Sequence, residues 1–537
     1  MPSLARLKAL GTSPALARIV TGALALALLL GMLVPVYSDE VGWRLQERAW
    51  LDGVDKAYSE QCGAHTLARP LWYMWPVRWY SGVFNMALPD PFWVRVSGVA
   101  YALVWSWMLL GLMRRMGAGR AATIMVLGLL GLGTLPLQLV WSRPEQPILL
   151  CLTGAMILAW DGQKRASWWR GLAVLLLAGV ALSYHFKALV LLPVFIACAL
   201  ASDRRRITLG PRVAVALGMI AAVPATAHYW FDRLSCAIDP VLSAQHAEQS
   251  LHYDPARGLI GNLLAVLGNY NLPAYVTLSA PDVTPMSHWL PYHLVSKPEQ
   301  IAWSVVMIAL WFFAFMLAGG ALWRAVRGRW RAAAGDLRVV LALLLFGTAS
   351  AYGAVQVVRN AYEAAFVLPL LAMAYAAALS AAPEPSARLK AMAGLTGLAM
   401  LGSMVLVSAI YGPALVRASQ ASGYSEAHPL SVPVFHYQGA RTRITQAAAL
   451  CGITPDNHAQ RLLLDDASYF TFMASRLPDH HLSVLEPQWR GSMTDPLAYL
   501  RAQGIDGVVV ACRFMEPAVR AKARELGGVC CLSRAQY

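Results

Sequence analysis

Charge is what this chain of 537 residues has least of. Asp, Glu, Lys and Arg make up 14% of it, against about 25% in a soluble globular chain. That shortage excludes the ordinary water-soluble enzyme. Acidic side chains are the scarcer sign, 29 against 44 Lys and Arg, for a net charge of +15. No C-x-x-C and no H-E-x-x-H occurs, so neither a structural zinc nor a zinc protease has ligands at the required spacing. A Gly-rich phosphate loop is missing, and no D-x-D accompanies a cytoplasmic domain, which removes a nucleotide-sugar site. The sequence therefore calls for no cofactor, and a divalent metal has no support in it.

Apolar residues are abundant instead, at 58% with a mean hydropathy of +0.49. A transmembrane helix needs about 20 such residues to cross the hydrocarbon layer. Eleven runs qualify, near 15–37, 93–113, 121–141, 146–160, 171–185, 188–201, 213–230, 301–323, 339–358, 361–380 and 391–411. The fold expected is mainly α: a polytopic membrane protein of about eleven helices over 1–411, followed by a small extramembrane α/β domain over 412–537.

The basic excess has a definite distribution. With the N-terminus in the cytoplasm, the inner segments 1–20, 114–120, 161–170, 202–212, 324–338 and 381–390 hold 20 Lys or Arg and 4 Asp or Glu; the remainder holds 24 and 25. Practically all of the basicity is thus the cytoplasmic surplus that orients membrane proteins, and a nucleic-acid partner loses its motivation. Three long segments, 38–92, 231–300 and 412–537, then share the outer face. The first helix carries no A-x-A cleavage pattern before Asp39 and reads as a retained anchor. Trp residues near span ends, among them Trp93 and Trp141, suit an interfacial belt. The expected setting is a bacterial inner membrane with the C-terminal domain in the periplasm.

Of 8 Cys, Cys151 and Cys198 lie in helices, while Cys62, Cys236, Cys451, Cys512, Cys530 and Cys531 fall in outer segments. Six cysteines in an oxidising compartment allow 15 pairings that sequence cannot sort. From Arg461 on, short alternating elements replace the long runs. Leu462–Asp465, Leu482–Leu485, Val508–Cys512 and Val529–Leu532 read as strands; Tyr469–Leu477, Pro496–Gln503 and Pro517–Leu526 read as helices. That alternation implies βαβ units and a small parallel sheet. Asp465 and Asp466 close the first strand, where such sheets bind ligands; a strand-end turn and helix cap is the plainer role.

Four short segments sit at outer span ends and carry reactive groups. Tyr37-Ser38-Asp39-Glu40 sets two carboxylates where the first helix leaves the bilayer, ahead of an interfacial helix. Ser38 as a helix cap, with the acids on its dipole, is the plainer role, yet an acid pair at membrane depth is costly without work to do. Ser142-Arg143-Pro144-Glu145 offers a phosphate-binding cation beside a carboxylate. His185-Phe186-Lys187 adds a second cation, suited to an anionic head group. Arg359 and Glu363, four apart, are a third candidate or a simple helix pair. Carboxylates and cations at one boundary would meet a lipid-linked phosphate from one side and a water-borne acceptor from the other.

On those features the chain resembles the GT-C superfamily of polyprenyl-phosphate-dependent glycosyltransferases, which includes protein O-mannosyltransferases and the lipid A aminoarabinose transferase. The resemblance rests on the acid pair Asp39-Glu40 at the start of the first outer loop, the interfacial helix behind it, the Arg143 to Glu145 turn and the long second outer loop. It covers 1–411 and not the terminal module. It implies Asp39 as catalytic base, with Glu40 assisting or replacing it. Arg143, Glu145, His185, Lys187 and Arg359 would bind the donor phosphate and substrate. The expected partners are a polyprenyl-phosphate-linked sugar, membrane lipids, and a lipid, glycan or protein acceptor. Two other readings stay open. A transporter or flippase would show repeats, broken helices and buried ionisable groups, and a polysaccharide ligase or polymerase would use a pyrophosphate donor.

Overall fold

A computed structural model describes residues 3–37, 40–41, 90–164, 168–184, 186–202, 256, 277–278, 297–327, 335–355, 361–382, 385–420, 431–473, 477–480, 485, 494–502 and 504–537. The chain divides into two compact units. One comprises Met1–Met32, Gly98–Thr226 and His252–Pro413; the other comprises Leu33–Ser97, Ala227–Leu251 and Ala414–Tyr537.

The first unit is helical. Its described elements are α1 (Leu4–Leu10), α2 (Pro14–Leu30), most of α3 (Pro91–Arg115), α4 (Arg120–Leu130), α5 (Leu135–Leu139), α6 (Glu145–Lys164), α7 (Trp168–Tyr184), α8 (Leu192–Ser202), α9 (Pro298–Val326), α10 (Leu337–Val355), α11 (Ala361–Ala381) and the larger part of α12 (Ala387–Gln420). Among the described residues five helices are long and apolar enough to cross a membrane: Pro14–Leu33, Pro91–Arg115, Pro298–Val326, Glu363–Ala381 and Ala387–Gln420. Four shorter apolar helices accompany them. Trp107, Val305, Phe312, Phe313 and Val405 are widely exposed, which suits side chains that would face lipid tails as apolar as themselves. The inner position goes to α11, which packs on α10, α9, α4 and α6. Its Ala-rich face lets those neighbours approach closely.

Two expected spans are not single α-helices. The run 121–141 breaks after Leu130, where Gly131 caps α4 and Gly133 takes a φ of 58° before α5 begins. The exposed backbone groups find partners inside the unit: Gly133 N–H donates to Ser403 Oγ at 2.7 Å and Thr134 N–H to Thr277 O at 3.1 Å. Irregular backbone at membrane depth requires such burial and pairing. The run 188–201 starts as a 3₁₀ segment, Phe186–Leu191, and becomes α-helical at Leu192. The run 213–230 lies outside the described residues.

The second unit contains the sheet. β1 (Val36–Tyr37) pairs antiparallel with β2 (Ser431–Val432), and α13 (Tyr437–Ala449) follows. Then come β3 (Arg461–Leu464), α14 (Asp466–Phe472), β4 (Leu477–His480), α15 (Pro496–Ala502), β5 (Gly507–Ala511), α16 (Pro517–Arg520), β6 (Arg524–Leu526) and β7 (Val529–Ser533). Strand order is β4-β3-β5-β7-β6, parallel across β4, β3 and β5 and antiparallel from β5 onward. The all-parallel expectation is therefore corrected to a mixed sheet. The expected helix Pro517–Leu526 stops at Arg520, and its tail becomes β6. Gly527 and Gly528, at φ 56° and 81°, form the two-residue turn that β-hairpins favour. A strand runs over Leu477–His480, and 482–484 of the strand expected at Leu482–Leu485 lie outside the described residues.

Adjacent strand residues face opposite sides of a sheet, and this sorts the cysteines. Cys530 joins Cys512 on the face carrying Leu463, Val508, Val510 and Leu532; Cys531 joins Cys451 on the α13 face. Cys62 and Cys236 lie outside the described residues.

Candidate functional site

In the first unit a tight turn aims Arg143 and Glu145 at one point. Arg143 N–H donates to Trp141 O at 2.9 Å, and Pro144 leads into α6, whose first turn begins with Glu145. A carboxylate there meets the positive end of the helix dipole. The 3₁₀ segment brings Lys187 to the same place. Lys187 Nζ lies 2.5 Å from Glu145 Oε1, and Arg143 Nε lies 3.3 Å from Glu145 Oε2. The three side chains are 2%, 6% and 4% exposed for Lys187, Arg143 and Glu145 respectively. Each carboxylate oxygen thus holds one cation, in surroundings where charge is weakly screened.

A narrow cleft adjoins this cluster, lined by Tyr101, Trp105, Gln138, Trp141 and Gln146 besides Arg143 and Glu145. Its volume of about 20 Å³ is room for a single water. Gln146 Nε2 donates to Gly98 O at 2.8 Å and Leu139 O at 2.7 Å, which fixes the amide's orientation. Its buried Oε1 then faces inward as an acceptor with no partner among the described residues. Trp141 is 2% exposed, so it belongs to the cleft wall and not to an interfacial belt; Trp93, at 38%, is open to its surroundings.

The acid pair belongs to the second unit. Glu40 is fully buried. Its Oε2 accepts from Tyr37 N–H and from Arg95 Nη2, both at 2.8 Å. Arg95 also donates to Val34 O at 2.9 Å and Pro35 O at 2.8 Å. One guanidinium thereby ties Glu40 to Val34 and Pro35, while β1 pairs Val36 and Tyr37 with β2. Sequence reasoning missed Arg95, although its signal was available: it is the only charged residue in the apolar run 93–113, and such a residue marks a specific partner.

Of the expected site residues the structure joins Arg143, Glu145 and Lys187, and it places Glu40 with Arg95. Asp39, His185 and Arg359 lie outside the described residues. In the sheet, Asp465 takes the plainer role. Its Oδ1 caps α14 at Ser468 N–H and its Oδ2 accepts from Ala511 N–H, both at 2.8 Å. Among the described residues one trio, Cys512, Glu525 and Cys530, is close enough to share a cation, but its two sulfurs form a disulfide and offer no thiolate. No known protein-family profile matches this chain, and no curated protein sequence matches it.

Proposed function

We propose that the protein is a membrane glycosyltransferase, moving a sugar from a polyprenyl-phosphate donor to an acceptor hydroxyl on the outer face. The observation that carries this reading is the buried cluster in which Glu145 holds Arg143 and Lys187. Burying three ionised side chains is expensive unless they act on a substrate, and two cations within reach of one point are what a phosphate leaving group needs.

In the chemistry proposed, the acceptor oxygen attacks the anomeric carbon as the bond from that carbon to the phosphate oxygen breaks, with inversion. Asp39 takes the acceptor's proton; this assignment rests on the sequence alone. A side-chain carboxylate is a suitable general base for that proton. The departing polyprenyl phosphate keeps the bonding electrons, and Lys187 and Arg143 stabilise its charge. A second carboxylic acid is unnecessary, since phosphate leaves without protonation, unlike the alkoxide of a glycosidase. Because the cleft now has room for about one water, donor binding requires the Lys187–Glu145 pair to part, with phosphate oxygens replacing the carboxylate. Glu40, already committed to Arg95 and Tyr37, fits the role of a positioning residue for its neighbour Asp39.

Purified protein given a panel of polyprenyl-phosphate sugars should transfer one of them. Asp39→Asn should lower kcat at least a hundredfold, and Lys187→Ala should chiefly weaken donor binding. Full activity in both variants would remove the base and the phosphate assignments together. A lipid-linked saccharide transporter is the second reading, favoured by the broken segment Gly131–Thr134 and the buried ions. It predicts flipping of labelled donor in proteoliposomes with no new glycosidic bond.

A further inference from the structure

The second unit has a larger cleft. It encloses about 320 Å³, within the roughly 300–1,000 Å³ typical of small-molecule sites. Its walls come from Asp90 and the start of α3, and from the chain leading into α13 together with that helix's first residues. Phe92 packs its ring on Trp93 at 5.3 Å and on Phe435 at 5.8 Å, and Trp93 remains 38% exposed. The same lining includes planar polar groups. Arg441 Nη2 donates to Asp90 Oδ1 at 2.9 Å, and the two side chains are 30% and 40% exposed. Arg441 is steadied by the Tyr437 ring, 5.3 Å away, whose hydroxyl is turned aside to Ala467 O and Thr471 Oγ1. His436 and Gln438 are exposed at the rim, with His436 held at a φ of 60°.

We infer that this cleft binds a saccharide ring, through stacking on Trp93 and hydrogen bonds from its hydroxyls to Asp90, Arg441 and Gln438. A sugar ring has an apolar C–H face that suits an aromatic surface, and its vicinal hydroxyls each donate and accept, matching a carboxylate beside a guanidinium. A purely apolar ligand would strip water from Asp90, Arg441 and Gln438 without replacing it. A bare phosphate would face the Asp90 carboxylate and leave the aromatic wall unused. The inference extends the proposed function by giving the second unit a glycan to hold, yet binding is measured without donor and so stands or falls apart from transfer.

Saturation-transfer NMR on the full chain in detergent tests it. The probes are methyl glycosides of glucose, mannose, galactose and rhamnose with their disaccharides, and the open-chain alditols serve as controls that carry hydroxyls but no ring. At least one cyclic sugar should receive saturation, strongest at the protons of one C–H face, while alditols do not. Trp93→Ala and Gln438→Ala should each weaken that signal fivefold or more at unchanged melting temperature; Gln438 is exposed, so its variant keeps the fold. Lys187→Ala should leave sugar binding intact. Equal signals from sugars and alditols, or undiminished binding in both cleft variants, would overturn the assignment.

Discussion

Arg95 shows how one side chain organises a stretch of chain that carries an expected catalytic acid. It is fully buried, as is Glu40, and its donors reach two backbone carbonyls as well as the carboxylate. Removing it takes the guanidinium away from a buried carboxylate and two carbonyls. Arg95→Ala is therefore expected to cost about 3–5 kcal/mol, the range for breaking a buried pair from one side, read as a lower midpoint in thermal or denaturant unfolding. Glu40→Gln, which keeps an acceptor for Tyr37 N–H and Arg95, should cost clearly less. Equal losses would mean that charge, and not hydrogen bonding, holds the turn. The acid pair was legible in the sequence because two carboxylates beside an apolar run are conspicuous. Its partner lies 55 residues on, and such distant pairing leaves no local pattern.

Among the elements, the helices of the first unit meet through glycine. A Cβ at Gly98 would collide with the backbone carbonyl of Val140, and one at Gly11 with that of Lys390, facing Gly394 against Leu7. Backbone cannot swing aside as a flexible side chain does, and close approach through small residues is how helices associate without a hydrophobic drive. Gly98→Ala should lower the melting temperature by several degrees, the equivalent of about 1–3 kcal/mol for overpacking. Gly22→Ala, with open space around its Cβ, should not, since helix propensity by itself favours Ala; a similar fall in both would show that close approach is not what distinguishes Gly98. The break at Gly131–Thr134 is of the same kind. Hydropathy saw an uninterrupted apolar run there, because nothing in apolarity reports that Ser403 and Thr277 supply hydrogen bonds from elsewhere in the chain. The β6–β7 hairpin was readable from Gly527-Gly528, yet the helical spacing of Pro517–Leu526 argued the other way.

For the molecule as a whole, the disulfides set the conditions under which the second unit is stable. Cys451–Cys531 spans 80 residues and Cys512–Cys530 spans 18. Chain-entropy reasoning gives about 4.5 and about 3 kcal/mol for loops of those lengths. Protein made under oxidising conditions should show both pairs by peptide mapping, and a Cys451→Ser, Cys531→Ser double variant should melt below a Cys512→Ser, Cys530→Ser one. The reverse order would contradict the loop-length account. Disulfides persist in oxidising compartments, so the outer location expected for the C-terminal segment predicts that a reporter fused after Tyr537 is active outside the cytosol.

Membrane character was legible in composition and order alone, since crossing a bilayer depends on run length. Alternation likewise announced an α/β module near Arg461. Only tertiary structure decided that Glu145 holds both Arg143 and Lys187, that Arg95 fastens Glu40, and that neighbouring Cys530 and Cys531 serve opposite sheet faces. Partition into lipid is a sum over local residues. Ion pairs and disulfides depend on where distant segments meet in space.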